Sequence, residues 1–243
     1  MFKLKIKLIL LGLVLLLPIS YASSNTNFDN LILQFKSDNG GLGHLIVSPQ
    51  GVSVDFKRLK SRVIILSPKW NVYLLNYSTK KFMEYNDQEW EKKFRKLNST
   101  PNHFRFDNCM ARLEKCNDSI SGHKVRLYTL IEKNTKIKIA KLYVIDAPKL
   151  VNKISCKVFF HGIFQLPSEI ANLGIPVKLE VWRSSNETNL STYWDTFKIS
   201  NLANSKLDEF YKIPHDYTLA KTDVSLIMGD ETTNMLNDAL DSP

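Results

Sequence analysis

The side chains that carry most protein chemistry are sparse and scattered in this chain of 243 residues. The five histidines, His44, His103, His123, His161 and His215, lie at least 20 residues apart. No H-E-x-x-H or C-x-x-C pattern occurs, so a zinc site has no support. Cys156 and His161 are five residues apart, but on a strand they would sit about 16 Å from each other, too far for one metal ion. No G-x-S-x-G nucleophile elbow is present. Gly40-Gly41-Leu42-Gly43 has the glycines of a phosphate loop without the following Lys-Ser/Thr, and reads as a hairpin turn. Carboxylates such as Asp107 and Glu114 fall in loop-like sequence with nothing to pair them for acid–base work. The expectation is a protein that is not an enzyme, with no catalytic residues, no metal and no cofactor.

The elements around this sparse chemistry begin with an export signal. Met1 to Lys7 is short and basic, Leu8 to Leu17 is an unbroken apolar run, and Pro18 precedes Ser20-Tyr21-Ala22. This is the layout of a cleaved signal peptide over residues 1–22. Ten apolar residues rise about 15 Å as a helix, half of a ~30 Å hydrocarbon core. The chain is therefore expected in the periplasm or secreted, where Cys109, Cys116 and Cys156 would meet oxidising conditions. Cys109 with Cys116, or Cys116 with Cys156, are the candidate disulfides, and an odd count leaves one thiol over.

The formal charge is +9. Removing three leader lysines and setting aside five carboxylates beyond Lys221 puts about +11 on residues 23–222. Such a body suits an anionic membrane surface. Export argues against nucleic acid as a partner, although Trp70, Tyr73, Trp90 and Phe94 interleave with basic residues.

Most of the mature chain reads as strands. Leu31–Lys36 and Gly43–Ser48 flank a turn signal, and Val52, Val54 and Phe56 alternate with polar residues. Arg62–Ser67 is continuously apolar, as expected of a strand covered on both faces. Trp70–Asn76 and Lys80–Tyr85 continue an antiparallel meander. Asn86 with Glu89 forms a capping box before a helix striped by Trp90, Phe94 and Leu97. Residues 98–118 read as a loop. Strands resume at Lys124–Ile131 and Lys136–Ile145, where a parity slip predicts a bulge near Ile139–Lys141. Further strands are expected at Ser155–Phe160, Val177–Val181, Tyr193–Ser200 and Val224–Met228, with a short helix from Pro167 to Leu173. The fold expected is α+β: one domain over residues 23–229, a curved antiparallel sheet forming an unclosed half-barrel, with two or three short helices covering its concave face. Residues 230–243 read as a flexible acidic tail.

A bent sheet with many inward aliphatics either fills its concave face or keeps an apolar hollow. Val52, Val54, Phe56, Ile64, Leu66, Val72, Leu74, Val177, Leu179 and Val181 are the candidate lining of such a hollow, and serve equally well as ordinary core. An acyl chain would gain roughly 0.8 kcal/mol per buried methylene there.

Several segments carry a resemblance. Gly51–Lys57, Val63–Leu66, Val72–Leu75 and Lys80–Tyr85 resemble successive strands of the periplasmic outer-membrane lipoprotein carrier family and its uncharacterised relatives. Ile120–Lys124 with Arg126-Leu127-Tyr128, Gly174–Leu179 and Phe210–Tyr217 resemble its later motifs in the same order. The resemblance implies an unclosed barrel lidded by helices that shields a lipid or lipoprotein acyl chain. A monomer is expected. Val125 stands where relatives often carry Cys, and Arg58 and Arg62 both lie near the position of the carrier's receptor-facing arginine. The alternative kept open is a cell-envelope interaction module whose concave face is filled by its own side chains.

Overall fold

The computed structural model describes residues 29–38, 40–97, 106, 108–114, 118–147, 150, 159–160, 166–182 and 189–230, without the side chains of 94–97. The expected signal peptide, Cys116, Cys156 and residues 231–243 lie outside the described residues.

The chain opens with six consecutive antiparallel strands: β1 (Leu31–Ser37), β2 (Gly41–Ser48), β3 (Gly51–Phe56), β4 (Ser61–Leu66), β5 (Asn71–Asn76) and β6 (Lys81–Tyr85). The turns after β3, β4 and β5 each end on a residue with positive φ, Lys60 (48°), Trp70 (60°) and Lys80 (51°), which sets a ten-residue repeat of strand plus turn. Helix α1 (Asp87–Leu97) follows. Its start is a reciprocal cap: the Glu89 amide donates to Asn86 Oδ1 at 2.9 Å and the Asn86 amide donates to Glu89 Oε2 at 3.1 Å.

The second half contributes β7 (Cys109–Leu113), a small ribbon of β8 (Ser119–Ile120) and β9 (His123–Lys124), then β10 (Arg126–Glu132) and β11 (Lys138–Ile145). Helix α2 (Ser168–Ala171) precedes β12 (Ile175–Trp182) and the long β13 (Leu190–Asn201). A 3-10 turn at Asn204–Lys206 leads into α3 (Leu207–Tyr211), β14 (Thr218–Leu219) and α4 (Asp223–Met228).

Twelve of these strands form one sheet in the order β14-β6-β5-β4-β3-β2-β1-β13-β12-β11-β10-β7. The first strand is therefore central. Its pairing with β13 joins two meanders, and among the described residues only the β14–β6 pair is parallel. The sheet is large, curved and unclosed, with β14 and β7 at its ends.

Four expectations change. The molecule is mostly β, not α+β, because its helices are few and short. The segment read as a loop over 98–118 contains β7, an end strand held by β10, with Met110 and Leu113 40% and 60% exposed. Val224–Met228 is helical rather than extended, because Thr222 and Ser225 cap each other. The Ser225 amide donates to Thr222 Oγ1 at 3.1 Å, and the Thr222 amide donates to Ser225 Oγ at 3.2 Å. In the expected strand Ser155–Phe160, Phe159 and Phe160 are helical, and 155–158 lie outside the described residues. The expected bulge is present: Leu130 pairs with Ala140 and Ile131 with Lys138, so Ile139 is the extra residue.

Alternation sorts the sheet into two apolar layers. The larger packs Leu31, Leu33 and Phe35 of β1, Val52 and Val54 of β3, Leu142 and Val144 of β11 and Val177, Leu179 and Val181 of β12 into one cluster. The smaller, on the other face, holds Ile46, Ile64 and Leu75 against Leu207 and Tyr211 of α3.

Candidate functional site

Cross-strand register builds the larger face. Val52 lies opposite Ile65, which lies opposite Val72. Val54 lies opposite Val63, which lies opposite Leu74. In the other meander Leu142 faces Leu179, and Leu179 faces Trp194. The Trp194 ring stacks on Phe35 at 3.6 Å between centroids and 20° between planes, closing the seam between the meanders. The Trp194 indole donates to Thr196 Oγ1 at 3.3 Å, which satisfies its one polar atom inside this apolar layer.

The cover over this face comes from outside the sheet. Trp90 of α1, Phe106, Leu150, Phe159, Phe160 and Ile170 of α2 all pack into the same cluster. Each is at most 4% exposed. The helical elements thus lie over the apolar side of the sheet, as a lid would. They are short: α2 has four residues and starts at Pro167 without a side-chain cap. A lid of this kind is held by side-chain burial more than by its own backbone hydrogen bonds.

Of the ten candidate lining residues, the structure brings eight to this face. Val52, Val54, Val72, Val177, Leu179 and Val181 are its buried members, and Phe56 and Leu74 pack at its margin. Ile64 and Leu66 belong to the opposite face. The correction follows from strand periodicity: in the unbroken run RVIIL only alternate residues can point the same way, and Val63 and Ile65 hold the inner positions. Leu142, Val144 and Trp194, central to the face, were not among the candidates. The alternation of Ala140, Leu142 and Val144 was the available signal for two of them.

The opposite face carries the polar chemistry. His44, Asp55 and Arg62 stand in register across β2, β3 and β4. Arg62 Nη2 lies 3.3 Å from Asp55 Oδ2, and the Arg62 guanidinium sits 5.7 Å from the centre of the Tyr77 ring. Burial pushes the Tyr77 phenol well above its usual range, and burial followed by the charge of Lys57 holds His44 below the usual imidazole range. Near this row, Tyr211 Oη donates to the Gly51 carbonyl at 2.8 Å and lies 2.8 Å from Ser48 Oγ, pinning α3 to the β2–β3 turn. Gly51 must be glycine there, since a Cβ would stand 2.1 Å from the Ile65 carbonyl oxygen.

Arg58 and Arg62 part company: Arg62 is engaged by Asp55, whereas Arg58 reaches the Asp38 carbonyl at 3.4 Å on the surface. Cys109 is buried with its Sγ 2.7 Å from the Phe106 carbonyl oxygen. Its expected partner Cys116 lies outside the described residues. No group of three or more His, Cys, Asp or Glu able to hold a metal occurs among the described residues.

No family model matches the chain, and no curated protein matches it. Solved structures give fold likenesses at low scores. MucB is 7% identical with a TM-score of 0.31, over 74% of this chain and 57% of that one. This chain thus spans little more than half the length of MucB. A putative outer membrane lipoprotein-sorting protein domain from Vibrio parahaemolyticus is 10% identical with a TM-score of 0.26, over 74% of this chain and 89% of that one. A LolA superfamily protein from Nitrosomonas europaea is 9% identical with a TM-score of 0.24, over 75% and 88%.

Proposed function

We propose that the chain is a non-enzymatic carrier, exported to the periplasm or secreted, that holds an acyl chain of a lipid or lipidated protein between its sheet and its lid. The observation that carries this reading is the continuous apolar layer from β1 to β12, covered among the described residues by short elements from outside the large sheet. Replacing the aromatic side chains of such a lid by an acyl chain exchanges one apolar contact for another. A twelve-carbon tail would contribute on the order of 8–10 kcal/mol before entropic costs. That is enough to offset displacing a lid element of a few residues. The ordered sequence motifs that resemble the lipoprotein carrier family support the same reading, since they fall on β3 to β6, β8 to β10, β12 and the α3–β14 segment.

A second reading rests on a different observation. Val52, Val54, Val72, Val177 and Leu179 are fully buried by the chain's own side chains, as in an interaction module with a filled core. Mature protein incubated with vesicles of phosphatidylethanolamine and phosphatidylglycerol, repurified and extracted, separates the two. Stoichiometric acyl species by mass spectrometry support the carrier, and a clean extract supports the module.

A further inference from the structure

The large sheet ends on two unlike edges. At one end β14 contributes only two residues. At the other, β7 runs for five residues and pairs, among the described residues, with β10 alone. The register of that pair fixes which backbone groups face out. The Glu114 amide donates to the Leu127 carbonyl and the Lys133 amide to the Asn108 carbonyl, each at 2.9 Å. In an antiparallel ladder such hydrogen-bonded pairs alternate with pairs whose backbone groups point away. Asn108, Met110, Arg112 and Glu114 therefore bond to β10, while Ala111 and Leu113 turn their N–H and C=O groups outward. Among the described residues nothing bonds to those outward groups. Such an edge is a template for one more strand.

The side chains of β7 select that strand. Cys109 and Ala111 pack into the lidded cluster, so Arg112 and Glu114 share the opposite side. Leu113 lies on the lidded side at the rim, 60% exposed. Arg112 is exposed, and among the described residues no carboxylate reaches it. Glu114 accepts from Thr129 through Oε1 and keeps Oε2 open. The two charges cancel, so the edge favours neither an acidic nor a basic foreign strand. They do match a copy of themselves. Antiparallel pairing centred on Leu113 sets Arg112 opposite the partner's Glu114 and Glu114 opposite the partner's Arg112. Both would be pairs of the non-hydrogen-bonded kind, where side chains approach most closely. On the lidded side Leu113 would meet the partner's Leu113. Pairing centred on Ala111 would instead set Arg112 against Met110 and leave the charges unmatched.

From this we propose that β7 is a self-association edge: two copies pair β7 to β7 about Leu113, with Arg112 and Glu114 forming reciprocal ion pairs across a two-fold contact. One short strand per copy falls below the roughly 1,200 Å² of the smaller stable interfaces, so the dimer is transient, with a Kd on the order of 10–1,000 µM. The monomer expected from the sequence is its dilute form. The contact holds whether or not the apolar layer takes an acyl chain.

The test is sedimentation equilibrium of the mature chain under reducing conditions, from about 5 µM to about 1 mM, where a reversible monomer–dimer equilibrium is expected. Arg112→Glu changes an exposed side chain and turns both ion pairs into like charges, which should weaken the dimer about tenfold or more. Leu113→Lys sets two ammonium groups together at the two-fold and should weaken it comparably. Glu114→Arg should do the same. Mixing Arg112→Glu with Glu114→Arg should then restore association, because every charge meets its opposite in the mixed dimer. Circular dichroism checks that each variant is folded. If Glu114→Arg unfolds through loss of its Thr129 contact, Arg112→Glu and Leu113→Lys decide alone. A chain that stays monomeric at about 1 mM would overturn the β7 contact. So would a dimer that ignores Arg112→Glu or Leu113→Lys, or two folded charge variants whose mixture fails to associate.

Discussion

The same six strands β1 to β6 present two unlike surfaces, and their chemistry divides along the pleat. On the lidded side Val52, Val54, Val63, Ile65 and Val72 form an unbroken apolar layer, met by Trp90, Phe159 and Phe160 from above. On the other side, apolar contact is confined to a patch around Ile64 under α3, and beside it run His44, Asp55 and Arg62. A layer with no directional contacts can trade one apolar partner for another, because its stabilisation scales with the apolar area removed from water and has no preferred direction. A face held by hydrogen bonds at fixed distances, such as Tyr211 to Gly51 and Ser48, cannot. The lidded side is suited to exchange and the α3 side to rigidity.

The sharpest way to break that contrast is a charge on the lidded side. Leu179→Asp buries a carboxylate among Leu142 and Trp194, and is expected to cost more than about 4 kcal/mol and to abolish the cooperative urea transition followed by circular dichroism. A smaller loss, about 2–4 kcal/mol in the same measurement, is expected for Ile64→Ala, which empties the patch under α3. Ile64→Ala should leave acyl binding unchanged, since Ile64 points away from the lid. Tyr211→Phe removes the contacts to Gly51 and Ser48 and should cost about 1–2 kcal/mol, leaving the Gly51 carbonyl without its phenol donor. The smallest effect concerns pH. The folded state holds the His44 pKa below its ordinary value, so the unfolded chain binds a proton first as pH falls through the mid-6 range. Stability should decline there on acidification, and His44→Gln should flatten that part of the stability–pH curve.

Much of this contrast was legible from residue order. The alternation of Val52, Val54 and Phe56 with Ser53 and Asp55 assigned the faces of β3, and the run RVIIL announced a strand buried on both sides. The parity slip near Ile139 located the bulge because a period of two leaves no other way to absorb one residue. Less was legible where tertiary partners decide. Ile64 and Leu66 were grouped with the lidded face because an unbroken apolar run hides its own parity. The helix α4 was hidden by the β-branched and aliphatic run Val224 to Met228, and the Thr222–Ser225 cap outweighed that preference. At the β14 end of the sheet, α4 packs beside β6 and α1 from more than a hundred residues further along the chain, and no local pattern announces such a convergence.

The account turns on whether an acyl chain reaches the covered layer. Trp90 and Trp194 both lie in that layer, so a chain carrying Trp70→Phe and Trp182→Phe reports from there by indole fluorescence. 9,10-Dibromostearate serves as the contact quencher. Saturable quenching at about one acyl chain per protein is the result expected of a lidded carrier. Emission that stays unchanged while the protein remains folded would contradict it, and would leave the apolar layer as a core and nothing more.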